Sequence, residues 1–564
     1  MPQVAPELLA LQRLYHWEKT SPDRVALTQP MGSGAVQDFT WAQIGDQVRR
    51  MATYLQSQGW EPGSKVAILS KNCAWWMMSD LAIWMAGHVS VPLYPTLAPE
   101  TVRQILTHSE AKACFIGKLD GWEGMKPGVP ADMPCLAYAL SPLDVIQSCE
   151  GWEAICGRHE PLQGEPVRGA DELATLIYTS GTTGLPKGVM HSFGNFAWAI
   201  DSGVKRIPLS GDDRMLSYLP LAHVVERMLV EHGWLRTAMH VYFAESLDTF
   251  AADLQRARPT IFFSVPRLWV KFQQGIHQKL PPAKLHRLLG IPFIGGLVRR
   301  KVMKALGLDQ CKFAAGGAAP MPPALLEWYA KLGLHINEGY GMTENLALSH
   351  ITEPGKNQFG TVGPTYAGVQ HRLDPDTGEV QMLSQALMQG YYKEPEKSRE
   401  AFTEDGWLRT GDKGAIDKEG LLRITGRVKD LFKTGKGKYV APAPIEDKLV
   451  MHEAVEACVV TGANLGQPIG IVMLSADAAA RIKTDSAART ALEVSLIAHL
   501  KSVNATLDPH EQMQCIVVVT TAWTVDNDII TPTFKVKRNR IEELYARHYE
   551  AWEASGKKLL WDKG

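Results

Sequence analysis

The sequence predicts an α/β protein with a large N-terminal domain of helix-covered sheets plus a small β-barrel, followed by a smaller α+β C-terminal domain. Short β-rich runs alternate with longer amphipathic segments from about residue 25 to 350, a pattern typical of parallel sheets covered by helices. From about 360 to 428 the strands become short and glycine-punctuated, without long helices, which indicates a small barrel or meander. After Gly426 and Arg427 a new unit begins.

The predicted strands are apolar runs bounded by polar or helical segments. In the N-terminal part the clearest are KVAILS (65–70), ACFIG (113–117), LATLIYT (173–179) and TIFFSV (260–265). In the C-terminal part they are ACVVTG (457–462) and QCIVVVT (514–520), followed by a charged helix near Arg540 to Ala551. We find no repeat and no low-complexity linker, so we expect domains at 1–428 and 429–564 joined by a tight hinge.

Composition excludes several classes of protein. A chain of 564 residues is too long for one ordinary core, and a net charge of -1 gives no overall basic field for nucleic acid. The N-terminus has no basic segment followed by an apolar core, so it does not resemble a signal peptide. The eight cysteines form no CxxC pair and no zinc-ligand spacing, which fits reduced thiols in a cytoplasmic protein.

The most apolar stretch runs from Cys73 to Pro95. Asp80 and His88 interrupt it, and its end is rich in valine and proline. The pattern favours a buried helix leading into a strand over a membrane span.

A phosphate-binding loop is the most specific signal in the chain. The string YTSGTTGLPKGV (178–189) follows an apolar strand. Its glycines let backbone amides crowd a polyphosphate, its hydroxyls donate hydrogen bonds and its lysine supplies a cation. The spacing is not that of a Walker A loop, which argues against a P-loop kinase or motor. The expected phosphate-binding residues are Thr179, Ser180, Gly181, Thr182, Thr183, Gly184 and Lys187.

With this loop, the chain resembles the adenylate-forming superfamily of acyl-CoA synthetases, luciferases and peptide-synthetase adenylation domains. Further motifs of that family recur in order, namely YLPLAHVVERM (218–228), AAGGAAP (314–320), NEGYGMTE (337–344), GWLRTGD (406–412), ITGRVKD (424–430) and TPTFKVKRNRI (531–541). The LAHVVER and TPTFKVKR variants resemble the long-chain fatty acyl-CoA synthetase branch. The resemblance implies that ATP, with Mg2+, activates a fatty acid as acyl-AMP, and that coenzyme A then takes the acyl group, giving acyl-CoA, AMP and pyrophosphate.

The chemistry of such a reaction requires a metal, a lysine and oriented dipoles, because an anionic carboxylate must approach a polyanionic phosphate. Glu344 offers the hard oxygen that suits Mg2+, and the resemblance places Thr343 on the α-phosphate. It also assigns the adenine to Tyr340 and to a backbone edge. The residues expected along that edge and in the NEGYGMTE motif are Gly316, Gly317, Ala318, Glu338, Gly339, Gly341 and Met342.

The resemblance assigns three more roles. Asp412 would accept hydrogen bonds from the ribose hydroxyls, with Arg427 as its companion. Lys535 would bridge the carboxylate and the α-phosphate during adenylation. Lys537 is an alternative, because the two lysines would share one face of a strand.

His223 lies where the family places a residue near the acyl carboxylate. Glu226 and Arg227 beside it are expected to form an ion pair that shapes the segment.

The resemblance further implies that the C-terminal domain rotates about Lys429 between the two half-reactions. Rotation would withdraw Lys535 and present the loop KTGKGKYV (433–440) to coenzyme A. Lys433, Gly435 and Gly437 are the expected contacts. A basic turn without this role is the competing interpretation.

One segment has an unusual charge. From Leu254 to Leu308 there are eleven Lys or Arg residues and no Asp or Glu, which indicates either a surface for anions or a solvated basic face. We therefore expect a cytoplasmic enzyme with peripheral contact at the inner membrane face.

The alternatives to a fatty acid–CoA ligase are an acyl-adenylating ligase with a carrier-protein thiol as acceptor, and a catalytically silent nucleotide- or lipid-binding relative.

Overall fold

The computed structural model describes residues 4–179, 186–356, 358–525, 527–531 and 535–562. The chain divides into two compact units. The first comprises Met1–Ala319, Pro323–His371 and Met382–Leu408, and the second comprises Pro320–Pro322, Arg372–Gln381 and Arg409–Gly564.

The described strands up to residue 427 are β1 (Val25–Gly32), β2 (Ala35–Thr40), β3 (Lys65–Leu69), β4 (Val89–Leu93), β5 (Ala113–Ile116), β6 (Cys135–Ala137), β7 (Glu150–Gly151), β8 (Leu173–Thr179), β9 (Lys187–Ser192), β10 (Arg214–Ser217), β11 (His240–Phe243), β12 (Ile261–Ser264), β13 (Phe313–Gly316), β14 (Ile336–Tyr340), β15 (His350–Ile351), β16 (Gln370–Leu373), β17 (Glu379–Leu383), β18 (Gly390–Tyr391), β19 (Leu408–Ile416) and β20 (Leu422–Arg427). Those that follow are β21 (Phe432–Lys433), β22 (Tyr439–Val440), β23 (Val455–Thr461), β24 (Ile469–Leu474), β25 (Ile516–Val519) and β26 (Leu559–Trp561).

The described α-helices are α1 (Ala10–Thr20), α2 (Trp41–Ser57), α3 (Ala74–Met85), α4 (Pro99–Ser109), α5 (Trp122–Met125), α6 (Leu143–Ser148), α7 (Trp152–Arg158), α8 (Phe193–Val204), α9 (Val224–Glu226), α10 (Gly233–Thr237), α11 (Phe250–Ala257), α12 (Pro266–Lys279), α13 (Pro282–Leu289), α14 (Ile294–Ala305), α15 (Pro323–Lys331), α16 (Pro395–Glu400), α17 (Ala443–Leu449), α18 (Ala476–Thr484), α19 (Ser486–Asn504), α20 (Arg538–Tyr545) and α21 (Tyr549–Ala554). A π-helical segment covers Arg227–His232, and a 3-10 turn covers Thr343–Asn345.

The described part of the first unit contains three sheets. An eight-stranded sheet has the order β18-β9-β8-β4-β3-β5-β6-β7, and two four-stranded sheets have the orders β10-β11-β1-β2 and β12-β13-β14-β15. The central pairs β3–β4, β3–β5 and β4–β8 are parallel, as the alternation of strands and helices predicts. The α/β fold class is therefore confirmed.

The apolar stretch after Cys73 forms a buried helix and a strand, as predicted. Every residue of α3 is buried, as is every residue of β4. A helix that is apolar on all sides belongs in a core, and a central parallel strand has both faces covered. Among the described residues, no helix combines the length and the apolar character that crossing a bilayer requires.

The sequence also fixes where the helices begin. Thr40 caps α2, because its hydroxyl accepts from the backbone N–H of Gln43 while the Gln43 side chain accepts from the N–H of Thr40. Ser192 and Asn195 make the same reciprocal pair at the start of α8. This cap fixes the point at which β9 ends and α8 starts.

The second unit contains the sheet β23-β24-β25-β26 and the hairpin β21-β22. Its core is built by apolar residues of α17, α19 and the central strands, including Leu449, Leu496 and Val518. The region after residue 360 contributes a four-stranded sheet of order β16-β17-β19-β20. The C-terminal charged helix predicted near Arg540 to Ala551 is present as α20 and α21.

Candidate active site

The strands β8 and β9 flank the predicted phosphate loop. Thr179 ends β8 and Lys187 begins β9, and the two residues pair across an antiparallel ladder. The remaining predicted residues of the loop lie outside the described part of the chain, namely Ser180, Gly181, Thr182, Thr183 and Gly184.

Lys187 and the expected metal ligand Glu344 contact the same tyrosine. The hydroxyl of Tyr391 donates a hydrogen bond to Oε1 of Glu344 over 2.8 Å. The Nζ atom of Lys187 lies 4.8 Å from the centroid of the Tyr391 ring, a distance typical of a cation–π contact. Glu344 and Tyr391 are both buried. The lysine of the phosphate loop and the acidic residue of the NEGYGMTE motif are therefore neighbours in space.

The turn that carries Thr343 and Glu344 is held from β9 as well. The Nε2 atom of His191 lies 2.7 Å from the backbone oxygen of Thr343. Burial lowers the pKa of His191 to about 4, so the ring is neutral near pH 7 and its N–H donates to that oxygen. Met342 precedes the turn, and its N–H donates to the Asn345 side chain over 2.9 Å.

The predicted adenine edge lies at the end of β13. Gly316 is buried and pairs with Ser264 on one side and with Glu338 on the other. A Cβ atom on Gly317 would lie 2.9 Å from the backbone oxygen of Gly339, so only glycine fits there. Ala318 has a positive φ of 66°, which marks a sharp change of chain direction after the strand.

The NEGYGMTE motif leaves β14 through an equally tight turn. Gly339 and Tyr340 pair with Ile351 and His350 of β15. The Tyr340 ring centroid lies 6.0 Å from that of His350. A Cβ atom on Gly341 would lie 2.4 Å from the carbonyl carbon of Ala347, so this glycine permits a contact between two backbone segments.

His223 begins the short helix α9. Its Nδ1 atom accepts from the N–H of Val225 over 3.3 Å, and its ring centroid lies 6.5 Å from that of the buried Tyr94. His223 is partly exposed, so it can reach a ligand while its main chain is fixed.

The ion pair expected between Glu226 and Arg227 is wrong. Glu226 Oε1 accepts from the Ser217 hydroxyl and the Tyr218 N–H, both over 2.9 Å, and from the Asn72 amide over 3.2 Å. Burial raises the pKa of the Glu226 carboxyl to about 8. Adjacent residues in a helix point about 100° apart, so they do not face each other.

Arg227 instead enters the core. It forms ion pairs with Asp80 and Glu231, and all three side chains are fully buried. Its guanidinium lies within 5.6 Å of the ring centroids of Trp76, Trp84 and Phe196. Buried charge of this kind is stable only when paired, so the network anchors the segment that carries His223.

In the second unit, Asp412 and Arg427 form one cross-strand pair. They are opposite each other on β19 and β20, and Nη1 of Arg427 donates to Oδ1 of Asp412 over 2.7 Å. The Asp412 side chain is mostly buried, whereas half of the Arg427 side chain is exposed. The arginine therefore holds the Asp412 side chain in place at the sheet.

The two candidate lysines differ in their surroundings. Lys537 forms an ion pair with Asp528 and precedes α20. Lys535 is exposed, and its backbone N–H donates to the Thr531 hydroxyl over 3.0 Å. The Lys537 ammonium is thus held by a carboxylate. The choice of Lys535 over Lys537 as the substrate-binding lysine stays a prediction.

The loop after Lys429 forms the hairpin β21–β22. Lys433 pairs with Tyr439, and its Nζ atom lies 5.8 Å from the Tyr439 ring centroid. Gly437 has a positive φ of 76°, and a Cβ atom on Gly435 would lie 2.7 Å from the Asn464 oxygen. Gly437 therefore suits the turn of the hairpin, and Gly435 permits its close approach to the backbone at Asn464, in addition to any role toward a ligand.

The donor set suits Mg2+. Within the described ranges, no group of three or more His, Cys, Asp or Glu side chains could hold a metal ion. Mg2+ is commonly bound by one or two carboxylates together with substrate phosphates, and the buried carboxylate of Glu344 beside Lys187 fits that arrangement.

Two residues of this site were missed at the level of sequence. Tyr391 is 47 residues from Glu344, and His191 is 152 residues from Thr343. Neither belongs to a run with its own chemical signature. The pairing of β18 with β9 brings Tyr391 to the loop lysine.

Most of the chain matches a known family of proteins. Residues 14–392 match the AMP-binding enzyme family, and residues 429–554 match the AMP-binding enzyme C-terminal domain. The chain belongs to the AMP-binding enzyme family.

Curated members of the family are similar over most of their length. The long-chain-fatty-acid–CoA ligase FadD15 of Mycobacterium tuberculosis is 31% identical over 95% of this chain and 96% of its own. The peroxisomal long chain acyl-CoA synthetase 6 of Arabidopsis thaliana is 28% identical over 91% of this chain and 81% of its own.

Solved structures of the family share the fold. The A domain of carboxylic acid reductase from Segniliparus rugosus, in complex with AMP and a co-purified carboxylic acid, has a TM-score of 0.78 at 22% identity. The alignment covers 98% of this chain and 95% of that one. The anthranilate CoA ligase AuaEII, in complex with anthranoyl-AMP, has a TM-score of 0.77 at 21% identity and covers 98% of this chain and 99% of its own.

Proposed function

We propose that this enzyme is an ATP-dependent long-chain fatty acid–CoA ligase that forms acyl-AMP and then acyl-CoA. The observation that carries the proposal is the meeting of Lys187 and Glu344 at Tyr391, because it joins a phosphate-binding cation to a metal-binding carboxylate. The names of the curated relatives support the long-chain acid as substrate and coenzyme A as acceptor.

In the first half-reaction, a carboxylate oxygen of the fatty acid attacks the α-phosphorus of ATP. The bond from that phosphorus to the bridging oxygen breaks, and pyrophosphate leaves with the electron pair. Lys187 and Thr343 would hold the phosphates, and Glu344 would hold Mg2+. When bound, Mg2+ offsets the charge of the phosphates and makes the phosphorus a better electrophile.

In the second half-reaction, the thiol of coenzyme A attacks the carbonyl carbon of the mixed anhydride. The bond from carbon to the phosphate oxygen breaks, AMP leaves, and the thiol proton passes to solvent or a base. Asp412 would accept hydrogen bonds from the ribose hydroxyls throughout, since an ionised acceptor binds hydroxyls strongly.

Two lysines would serve different half-reactions. The exposed Lys535 would stabilise the charge that develops during adenylation. A change of position about Lys429, at the expected start of a 429–564 domain, would then present Lys433, Gly435 and Gly437 to coenzyme A. The match of residues 429–554 to a C-terminal domain supports this boundary.

The experiment that tests the proposal is pyrophosphate release from ATP with carboxylic acids from acetate to oleate, with and without coenzyme A. We expect turnover with long-chain acids that requires coenzyme A and yields the thioester. Turnover that needs an added carrier protein would favour the alternative acceptor, and the absence of release with every acid would identify a silent relative.

We further propose that the enzyme docks on an anionic bilayer through the end of α13 and the start of α14. Four apolar residues are exposed there, with 93% of Phe293 and 65% of Leu297 accessible, and Ile291 and Ile294 beside them. Phe293 has a positive φ of 61° directly before α14. Exposed apolar residues clustered in this way are typical of a surface that contacts a membrane or another apolar partner.

The charge around this apolar tip complements such a surface. Arg299, Arg300, Lys301 and Lys304 are exposed on α14, and none forms an ion pair with a described residue. By contrast, Arg256 and Arg258 of the same segment pair with Asp253 and Asp309. Each basic residue near an anionic membrane contributes about 1 kcal/mol, and shallow apolar insertion adds to it.

Co-sedimentation with vesicles of an anionic phospholipid tests this contact. We expect binding that weakens steeply with salt and falls when the four basic residues are changed to Gln. A matched control changes four exposed lysines of the second unit to Gln, namely Lys418, Lys483, Lys501 and Lys557, and should bind as the parent does. Equal loss in both variants would show that only net charge matters, and the docking site would then be wrong.

A further inference from the structure

Tyr391 occupies a fixed place between two functional groups of the phosphate site. It ends β18, the edge strand of the eight-stranded sheet, and pairs with Val189 of β9. Its side chain is buried, with 8% exposed. Its hydroxyl contacts the Glu344 carboxylate at 2.8 Å, and its ring contacts the Lys187 ammonium at 4.8 Å. The Tyr391 side chain thus contacts the carboxylate through its hydroxyl and the ammonium through its ring.

The backbone around Tyr391 is anchored on both sides. The Tyr391 N–H donates to the Ser398 hydroxyl over 2.8 Å. Three residues earlier, the Met388 N–H donates to the backbone oxygen of Glu344 over 2.8 Å. The segment 388–391 therefore binds both the main chain and the carboxylate of Glu344. A shift at either hydrogen bond would disturb the other.

We propose that Tyr391 is a positioning residue that holds the Glu344 carboxylate in position for Mg2+ and the Lys187 ammonium in position for ATP. This inference rests on the proposed function, because it takes Glu344 as the metal ligand and Lys187 as the phosphate ligand. A carboxylate that ligates a metal is usually hydrogen-bonded by a neighbour that orients it. The phenol donates that bond here.

The ring has the second role. A lysine side chain is long and flexible, so its ammonium samples many positions unless a neighbour restrains it. The aromatic face attracts the cation by its quadrupole and holds it beside the carboxylate. Without the ring, the Lys187 ammonium would lose this restraint.

Two substitutions separate the two roles. Tyr391→Phe removes the hydroxyl and keeps the ring, so we expect half-saturating Mg2+ for acyl-AMP formation to rise about 10- to 100-fold, the usual effect of losing a partner of a metal ligand. The affinity for ATP in EDTA should not change. Tyr391→Leu removes both parts, and should also weaken ATP binding in EDTA.

Tyr392→Phe is the matched control. Tyr392 is the next residue, and its hydroxyl lies 3.4 Å from the exposed Glu110. This variant loses a phenol from the same strand end without touching Glu344, so its Mg2+ dependence should equal that of the parent. Calorimetric titration of ATP with and without Mg2+ provides a readout that does not depend on turnover or on the acyl substrate.

The outcomes distinguish this inference from the proposed function. If Glu344→Gln shifts the Mg2+ dependence and Tyr391→Phe does not, the positioning role is overturned and the proposed function stands. If neither variant shifts it, both assignments are overturned. If Tyr391 merely fills space, the Tyr391→Phe protein will lose thermal stability while its Mg2+ dependence stays unchanged.

A second variant covers the case in which Tyr391→Phe does not fold. Ser398→Ala removes the hydroxyl that accepts from the Tyr391 N–H and leaves both charged residues intact. We expect it to raise half-saturating Mg2+ in the same direction. An unchanged Mg2+ dependence in folded Ser398→Ala would overturn the inference.

Discussion

Arg427 lies directly across the β19–β20 ladder from Asp412, and its Nη1 atom donates to Oδ1 of Asp412 over 2.7 Å. The aspartate is therefore oriented by a cationic partner, and its side chain is only 12% exposed. An acceptor prepared in this way suits the vicinal hydroxyls of a ribose.

The first prediction concerns this acceptor. Asp412→Asn keeps the shape and removes the charge, so ATP should bind at least about 10-fold more weakly, the usual effect of losing hydrogen bonds to a charged group. Calorimetric titration of ATP measures it. Asp417→Asn is the control, because Asp417 is exposed in the turn between the same two strands. Unaltered ATP affinity in Asp412→Asn would remove Asp412 from the ribose site.

The second prediction concerns the half-reactions. Lys535→Ala should slow acyl-AMP formation by about 100- to 1000-fold, the usual effect of removing one preorganised donor. Thioester formation from synthetic acyl-AMP and coenzyme A should be largely retained. Lys537→Ala is the matched comparison, because Lys537 lies two residues away on the same segment and its ammonium pairs with Asp528.

Rapid-quench measurement of both half-reactions checks this assignment. Equal loss in the two half-reactions would contradict a role for Lys535 in adenylation alone. A larger loss in Lys537→Ala would show that the wrong lysine was chosen.

The third prediction concerns pH. Burial raises the pKa of the Glu226 carboxyl from 4.5 to about 8, so the folded protein binds this proton more tightly than the unfolded chain does. Its contribution to stability is fully present below pH 4.5 and is lost as the pH rises toward 8. Glu226→Gln can still accept from Ser217 and Tyr218 but does not titrate, so its stability should fall less between pH 5 and 8.

Thermal unfolding of parent and variant across that range measures the difference. The difference in the free energy of unfolding between Glu226→Gln and the parent should widen by at most about 1.4 kcal/mol per pH unit. Glu123→Gln is the control, because Glu123 is exposed, and its stability should change with pH as that of the parent does. The same pH dependence in Glu226→Gln as in the parent would contradict the raised pKa of Glu226.

Local patterns predicted most of the fold because strands and helices are specified by residues close in sequence. The run LATLIYT became β8 over Leu173–Thr179, and the apolar stretch after Cys73 became α3 and β4. The pairing of Asp412 with Arg427 could also be predicted from the sequence, because consecutive strands of a hairpin are neighbours.

Contacts between distant segments could not be derived in the same way. Arg227 has a carboxylate beside it in sequence, yet it pairs with Asp80, which is 147 residues away. Tyr391 has no motif of its own, and its role depends on the sheet order that brings β18 beside β9. Charge and spacing identify which residues do chemistry, whereas the supporting residues are chosen by packing.

The central claim is that acyl transfer proceeds through acyl-AMP, and oxygen-18 in the carboxylate of oleate tests it most directly. Attack of a carboxylate oxygen on the α-phosphorus, followed by thioester formation, leaves one labelled oxygen in AMP. Mass spectrometry of AMP after turnover with ATP and coenzyme A should therefore show a single oxygen-18 atom in its phosphate. Oleoyl-CoA formed together with unlabelled AMP would contradict the account.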